Sequence, residues 1–274
     1  MTVPRIVLNN GTEIPQLGFG VWRVPHDATH AAVSAALKAG YRHIDTAKLY
    51  ANEDAVGAAI RDSGLAREAV FVTTKVWNDD QGYDATLRAF DASMRGLGFD
   101  VLDLYLIHWP VAGRGLAGET WRAMERLHLD GRVRAIGVSN FKPDHLSALL
   151  NTAQVVPAIN QVELHPYLQQ HDTRAVNAEH GIATEAWSPL ARGGVLLTDP
   201  VIGGIAAKHD RTPAQVVLRW HLQLGTVAIP KSVTPARIEE NFDVFGFDLD
   251  EEEMAAVAAL DRGERTGPDP DRIS

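Results

Sequence analysis

The 274-residue chain contains no cysteine. That absence removes disulfides, thiolate nucleophiles, iron–sulfur clusters and Cys-ligated zinc together, and it fits a reducing or an oxidising compartment equally. A basic surplus is also missing: 26 Lys and Arg stand against 35 Asp and Glu, a formal charge of −9. A general binder of nucleic acid or of anionic membranes needs the opposite sign. Neither is expected as a partner, and any phosphate site must be local, made by a few placed cations and backbone amides. No apolar run is long enough to span a bilayer. The first residues, Met1-Thr2-Val3-Pro4-Arg5, lack the basic region, apolar core and cleavage site of a signal peptide. A soluble, cytoplasmic protein is the expectation.

Complete phosphate loops are absent too. Gly18-Phe19-Gly20-Val21-Trp22-Arg23 breaks the dinucleotide fingerprint at its third glycine, and there is no Walker loop. The acidic run Asp248–Glu253 lacks the glycine of a calcium loop. It reads instead as a helix start, with Asp250 capping and Glu253 at the third position. No metal site is expected.

With 45% hydrophobic and 22% charged residues the composition is that of an ordinary globular protein. Ile6-Val7-Leu8 and Glu13-Ile14-Pro15 flank Asn9-Asn10-Gly11-Thr12 and read as a hairpin, Asn-Gly supplying the positive φ angles of a tight turn. After it, short apolar runs alternate with helical stretches about eight times. The candidate strands are Leu17–Gly20, Arg42–Asp45, Val70–Lys75, Leu102–His108, Ala135–Ser139, Ala158–Gln161, Ala183–Trp187 and Thr226–Ile229. Between them Thr29–Ala39, Asp54–Asp62, Asp84–Gly96, Thr120–Leu129, Pro143–Leu150, Thr173–His180 and Pro213–Gln223 repeat their apolar residues at three and four, as amphipathic helices do. With no Pro/Gly-rich linker between halves, this pattern predicts an α/β fold in one domain over residues 1–274: a closed parallel (β/α)8 TIM barrel with an N-terminal β-hairpin and extra helices near the C-terminus. An open doubly wound sheet is the alternative.

In such a barrel chemistry collects at the C-terminal ends of the strands. Asp45 stands there after the second run, with Tyr50 in the following loop; Lys75 ends the third and His108 the fourth. Singly, these would be a helix cap, a packing residue, a solvated ammonium and a hydrogen-bonded rim residue. Together they make a proton donor. A tyrosine titrates near ~10, high for acid–base work near neutrality. A neighbouring ammonium lowers that value, and a buried ammonium needs a carboxylate partner. So Asp45 can hold Lys75, Lys75 can tune Tyr50, and His108 can position a carbonyl oxygen. No side chain offers itself as nucleophile: there is no Ser–His–Asp signature, and Ser139-Asn140-Phe141-Lys142 has the Ser-x-x-Lys spacing without its companion motifs. A nicotinamide hydride would fill that gap.

These residues carry a resemblance. Gly40-Tyr41-Arg42-His43-Ile44-Asp45-Thr46-Ala47 with Tyr50 and Asn52-Glu53, Asp103-Leu104-Tyr105-Leu106-Ile107-His108-Trp109-Pro110, Ile136-Gly137-Val138-Ser139-Asn140-Phe141 and Ile229-Pro230-Lys231-Ser232 resemble the signatures of the aldo-keto reductases. The likeness runs from about residue 5 to about residue 260. Asn160-Gln161-Val162-Glu163-Leu164-His165-Pro166 and Glu185-Ala186-Trp187-Ser188-Pro189-Leu190 resemble in particular the bacterial branch with the 2,5-diketo-D-gluconate reductases. The resemblance implies an NADPH-dependent oxidoreductase reducing aldehydes, ketones, dicarbonyls or keto sugars, with a small-molecule carbonyl as partner and a monomeric state. It implies Tyr50 as general acid, supported by Lys75 and Asp45, with His108 orienting the carbonyl. It implies Ser139, Asn140 and Gln161 on the nicotinamide carboxamide, Trp187 stacked on its ring, and Ser188 and Leu190 along the pyrophosphate. Lys231, Ser232 and Arg237 would surround the 2′-phosphate, with Glu240 and Asn241 near the adenine.

Trp22, Trp77 and Trp109 are placed to line the substrate pocket, whereas Trp121 and Trp220 sit at helical spacing as packing residues. The short Val111–Gly118 segment predicts an open pocket. Three positions depart from the family pattern: Ala51 stands where glycine is usual; Lys48 either lines the pocket mouth, where it would attract carboxylate-bearing substrates, or, the favoured reading, points to water; and Thr234 weakens the preference for NADPH without overturning it. Two other functions compete: a barrel aldolase with Lys75 as Schiff base, which borohydride trapping would expose, and a non-catalytic sensor of nicotinamide redox state, which turnover would exclude.

Overall fold

The computed structural model describes residues 3–273. Strands β1 (Arg5–Val7) and β2 (Glu13–Pro15) pair antiparallel with Ile6 opposite Ile14. The turn between them is longer than a two-residue Asn-Gly turn. Only Gly11 has a positive φ, 81°, and Leu8 N donates to Thr12 O at 2.8 Å across the loop. Asn10 contributes its side chain rather than a left-handed backbone, accepting from Thr12 N at 3.0 Å.

Eight parallel strands follow: β3 (Phe19–Gly20), β4 (His43–Asp45), β5 (Phe71–Val76), β6 (Leu102–Ile107), β7 (Val133–Ser139), β8 (Ile159–Glu163), β9 (Ala183–Trp187) and β10 (Val227–Ala228). Each bonds to the next in chain order. The first and last also meet: Leu17 bridges Ala228, with Gly18 N to Ala228 O and Ala228 N to Gln16 O both at 2.9 Å. A sheet whose two edges bond each other is a barrel, so the open doubly wound alternative is excluded.

Helices α1 (His26–Ala39), α2 (Glu53–Asp62), α3 (Tyr83–Leu97), α4 (Ala117–Leu129), α5 (Pro143–Leu150), α6 (His171–Glu179), α7 (Pro200–His209), α8 (Pro213–Gln223), α9 (Pro235–Phe242) and α10 (Glu251–Ala258) cover the barrel. The three-and-four periodicity locates α1 to α6 and α8. Helix α7 escapes it because Gly203-Gly204 break the pattern and lower helix propensity; it is started by Asp199, whose carboxylate accepts from Val201 N. The start of α10 is as expected: Asp250 Oδ1 accepts from Glu253 N, and Glu253 Oε2 accepts from Asp250 N, both at 2.9 Å. Helices α2 and α3 approach so closely at Gly57 that a Cβ there would overlap Leu97 O.

Leu8 and Ile14 of the hairpin pack inside the barrel against Phe71, Leu104, Leu106, Ala135, Ile159 and Val227. The N-terminal end is thereby plugged with apolar side chains. Polar side chains of the barrel interior collect toward the C-terminal rim, where the loops carry them.

Candidate active site

Asp45 is the last residue of β4, Lys75 lies one residue from the end of β5, and His108 directly follows β6. The parallel register sets these ends side by side. Lys75 Nζ donates to Asp45 Oδ1 at 2.7 Å and to Thr46 O at 2.8 Å, and neither side chain of the ion pair is more than 3% exposed. Tyr50 ends a 3₁₀ turn, Lys48–Tyr50, and Lys75 Nζ lies 5.2 Å from its ring centroid. The turn is tied down by Asn52, which accepts from Thr46 Oγ1 at 2.9 Å and donates to Val21 O at 3.2 Å. The rings of Tyr50 and His108 meet edge to face at 5.8 Å. Trp77 meets His108 edge-on at 5.2 Å, and Trp109 lies parallel to it at 6.4 Å.

The electrostatics assign protonation states. Burial pushes Tyr50 up to about 12, Lys75 pulls it down, and Asp45 and Glu185 push it up. This corrects the expectation from the sequence. Lys75 acts in the expected direction, but removal of the phenol from water outweighs it, so Tyr50 keeps its proton. Burial, assisted by Lys75, holds His108 well below the ordinary imidazole range; it is a neutral ring. For Lys75 burial disfavours the charge, yet Asp45, Tyr50 and Glu185 together hold it above the usual lysine range.

Ser139, Asn140, Gln161 and Trp187 form a second group on the same rim. Asn140 has a left-handed backbone, φ 66°, and its Nδ2 donates to His108 O at 2.9 Å and to Ser139 Oγ at 3.1 Å. Its Oδ1 accepts from Trp187 Nε1 at 2.8 Å, which fixes the indole. Gln161 Nε2 donates to Asp45 Oδ2 at 2.8 Å and to Glu185 Oε2 at 2.9 Å. Its amide nitrogen is thus spent inside the barrel.

The loop after β9 turns by left-handed residues: Ser188, Ala191, Arg192, Gly193 and Gly194 all have positive φ. Ala191 N and Gly193 N close turns onto Ser188 O at 2.8 Å and Leu190 O at 2.7 Å. Leu190 is partly buried within the loop. Beyond β10, Lys231 and Arg237 are exposed on either side of the α9 start. Among the described residues neither is in an ion pair. Ser232 Oγ accepts from Thr234 N at 3.1 Å, Glu240 accepts from Thr212 Oγ1 at 2.8 Å, and Asn241 is buried. Two guanidiniums lie over the Trp22 ring, Arg23 at 4.4 Å and Arg192 at 4.9 Å from its centroid. Trp121 and Trp220 are fully buried packing residues.

Lys48 does not simply point to water: its ammonium binds Asp80 Oδ2 at 2.5 Å. Two carboxylates were given no role by the sequence. Glu163, the last residue of β8, accepts from Thr266 N at 2.7 Å and from Gly267 N, pinning the C-terminal segment against Trp187. Lys142 secures the same segment through Asp269 at 2.6 Å and Asp271 at 2.5 Å. Glu185 is wholly buried beneath the ion pair. An acidic residue inside an apolar run that must be covered on both faces was the available signal. Among the described residues no helix is long and apolar enough to cross a membrane, and no three His, Asp or Glu side chains group to hold a metal ion.

Residues 15–262 match the model of the Aldo/keto reductase family. The chain is 58% identical to an aldo-keto reductase of Mycolicibacterium smegmatis over 97% of both chains. It is 52% identical to the glyoxal reductase of Bacillus subtilis, covering 98% of this chain and 96% of the relative. The crystal structure of a Gox0644 mutant in complex with NADPH superposes with a TM-score of 0.96 at 49% identity, over all of both chains.

Proposed function

The chain belongs to the aldo/keto reductase family, and from that premise we infer that it reduces small aldehydes, ketones and dicarbonyls to alcohols with NADPH, with Tyr50 as proton donor. The observation that carries this reading is a protonated Tyr50 set between a buried Lys75–Asp45 pair and a neutral His108. A similar chain that reduces glyoxal and a similar structure that holds NADPH support it.

The residues present fit the cofactor. The tight loop Ser188–Gly194, five of whose residues have positive φ, would lie along the pyrophosphate. Lys231 and Arg237, at the start of α9, suit a 2′-phosphate in a protein that is otherwise acidic. Asn140 Nδ2 is committed to His108 O and Ser139 Oγ, so the carboxamide NH2 would be held by acceptors, Asn140 Oδ1, Ser139 Oγ and the carbonyl oxygen left free on Gln161, and Trp187 is fixed by Asn140 so that it can face the ring. Bound NADPH supplies a hydride to the carbonyl carbon.

The chain's own residues do the rest. Tyr50 Oη gives its proton to the carbonyl oxygen. A neutral His108 donates an N–H to the same oxygen and orients it, a task its cationic form is not needed for. Lys75 stabilises the phenolate left on Tyr50, and Asp45 keeps Lys75 charged where burial alone would neutralise it. Trp77 and Trp109, packed around His108, shape an apolar wall that admits carbonyls without reading one substrate. Positioned general acids are worth about 10²- to 10⁴-fold in rate.

The test is oxidation of NADPH, followed by its absorbance, against glyoxal, methylglyoxal, simple aldehydes and a keto sugar, repeated with NADH. Turnover with dicarbonyls and a preference for NADPH is expected. Cofactor binding without turnover on any carbonyl would leave the sensor reading instead.

A further inference from the structure

Glu185 is a buried acid for which the mechanism above has no use. It lies mid-strand in β9, opposite Gln161 of β8 in the ladder, with no exposed surface. Gln161 Nε2 bridges it to Asp45, 2.9 Å from one carboxylate and 2.8 Å from the other. The groups that bear on it are Asp45 and His43 from β4, Lys75 from β5, Gln161 from β8 and Tyr50 at the rim, and Val227 of β10 stands opposite it in the ladder. Glu185 Oε1 has no hydrogen-bond partner; the nearest ring nitrogen, His43 Nε2, is 3.7 Å away and is engaged with Thr73 Oγ1 at 3.1 Å. Burial pushes His43 down to about 3, so it brings no positive charge.

The charge count is therefore short of a cation. Among the described residues Lys75 is the one ammonium facing this cage, and it is bonded to Asp45 and Thr46 O. With both acids ionised, this buried cage would hold net charge −1, with one carboxylate oxygen lacking any protein donor, an arrangement that is costly. With Glu185 neutral the cage is balanced. We propose that Glu185 is a positioning residue held as a neutral acid beneath the Lys75–Asp45 pair, its proton keeping the cage at zero net charge so that Tyr50 remains a competent proton donor. This rests on the reductase reading. Tyr50 becomes a phenolate as it gives up its proton, and a second fixed negative charge below would oppose that change. Burial and Asp45 both raise the Glu185 carboxyl above the carboxylate range, in the same sense.

Two measurements test it. The first is the vibrational spectrum of the whole protein at neutral pH, read for the carbonyl stretch of a protonated carboxylic acid. That band is expected in the wild type and in Tyr50→Phe, is expected to vanish in Glu185→Gln, and to fade as pH rises. The second is the pH profile of kcat for carbonyl reduction. The wild type is expected to lose on the order of three- to tenfold in one step above neutral pH as Glu185 ionises, and Glu185→Gln, whose amide oxygen can still accept from Gln161 Nε2 but which cannot ionise, is expected to lack that step. Absence of a Glu185-dependent acid band overturns the proposal, as does an alkaline step that persists unchanged in Glu185→Gln. If the wild type reduces no carbonyl at all, the reductase reading fails, while the band still reports whether Glu185 carries its proton.

Discussion

Replacing Lys75 by methionine strands Asp45. In the native protein the two side chains are 0% and 3% exposed and joined at 2.7 Å. Removing one partner of a buried ion pair costs about 3–5 kcal/mol, because the survivor is left charged and dry. Asp45 keeps the Gln161 Nε2 bond at 2.8 Å, which places the loss toward the lower end, while Thr46 O loses a donor worth about 1 kcal/mol. The expected total is about 3–4 kcal/mol, a fall in Tm of roughly 10 °C for a chain of this size. Denaturant unfolding at constant m-value reads it directly. The double variant Lys75→Met/Asp45→Asn carries no stranded ion, so it should recover about 2 kcal/mol relative to the sum of the single changes. Both variants should be inactive, since neither keeps an ammonium to stabilise the Tyr50 phenolate. A loss below about 1 kcal/mol in the single variant, or simple additivity in the double, would refute the buried-pair argument.

Ala51 is exposed and held at φ 53°, ψ 37°, a left-handed conformation that costs a residue with a Cβ about 1 kcal/mol. Ala51→Gly should therefore raise stability by about 0.5–1 kcal/mol in a thermal melt; a lower Tm would contradict it. Gly57→Ala should do the reverse: the gain in helix propensity is overridden by overlap with Leu97 O, and a net loss of about 1–3 kcal/mol is expected in denaturant. A stabilised Gly57→Ala would show that α2 and α3 can separate freely. Arg237→Ala should weaken NADPH binding on the order of 10- to 100-fold in a fluorescence titration and NADH binding little. Equal losses would place the 2′-phosphate elsewhere.

Much of this molecule is legible in its sequence. The eight strands are short apolar runs because both faces are covered, and that pattern survives in a linear sequence. Asp45, Lys75 and His108 could be named because strand ends face the rim in any barrel. What escaped was whatever depends on distance across the barrel. The bridge from Gln161 to both Asp45 and Glu185 joins β8 to β4 and β9, and no local spacing announces it. Lys48 meets Asp80 thirty-two residues away, a partner that neither the pocket mouth nor solvent, the two readings its sequence neighbours offered, includes. The direction in which Lys75 moves Tyr50 followed from charge alone, but the larger effect of burial required knowing how deeply the ring sits. Helix α7 was hidden by Gly203-Gly204, whose low propensity is overcome by the Asp199 cap and by packing of Ile202 and Ile205.

The role of Tyr50 as proton donor is tested most directly by Tyr50→Phe, assayed for NADPH oxidation with methylglyoxal beside a titration of NADPH binding by quenching of tryptophan fluorescence. A fall in kcat of at least about 10²-fold is expected, with cofactor affinity unchanged, because only the proton donor has gone. Activity retained within about tenfold of wild type, or loss of cofactor binding in place of turnover, would contradict the role of Tyr50.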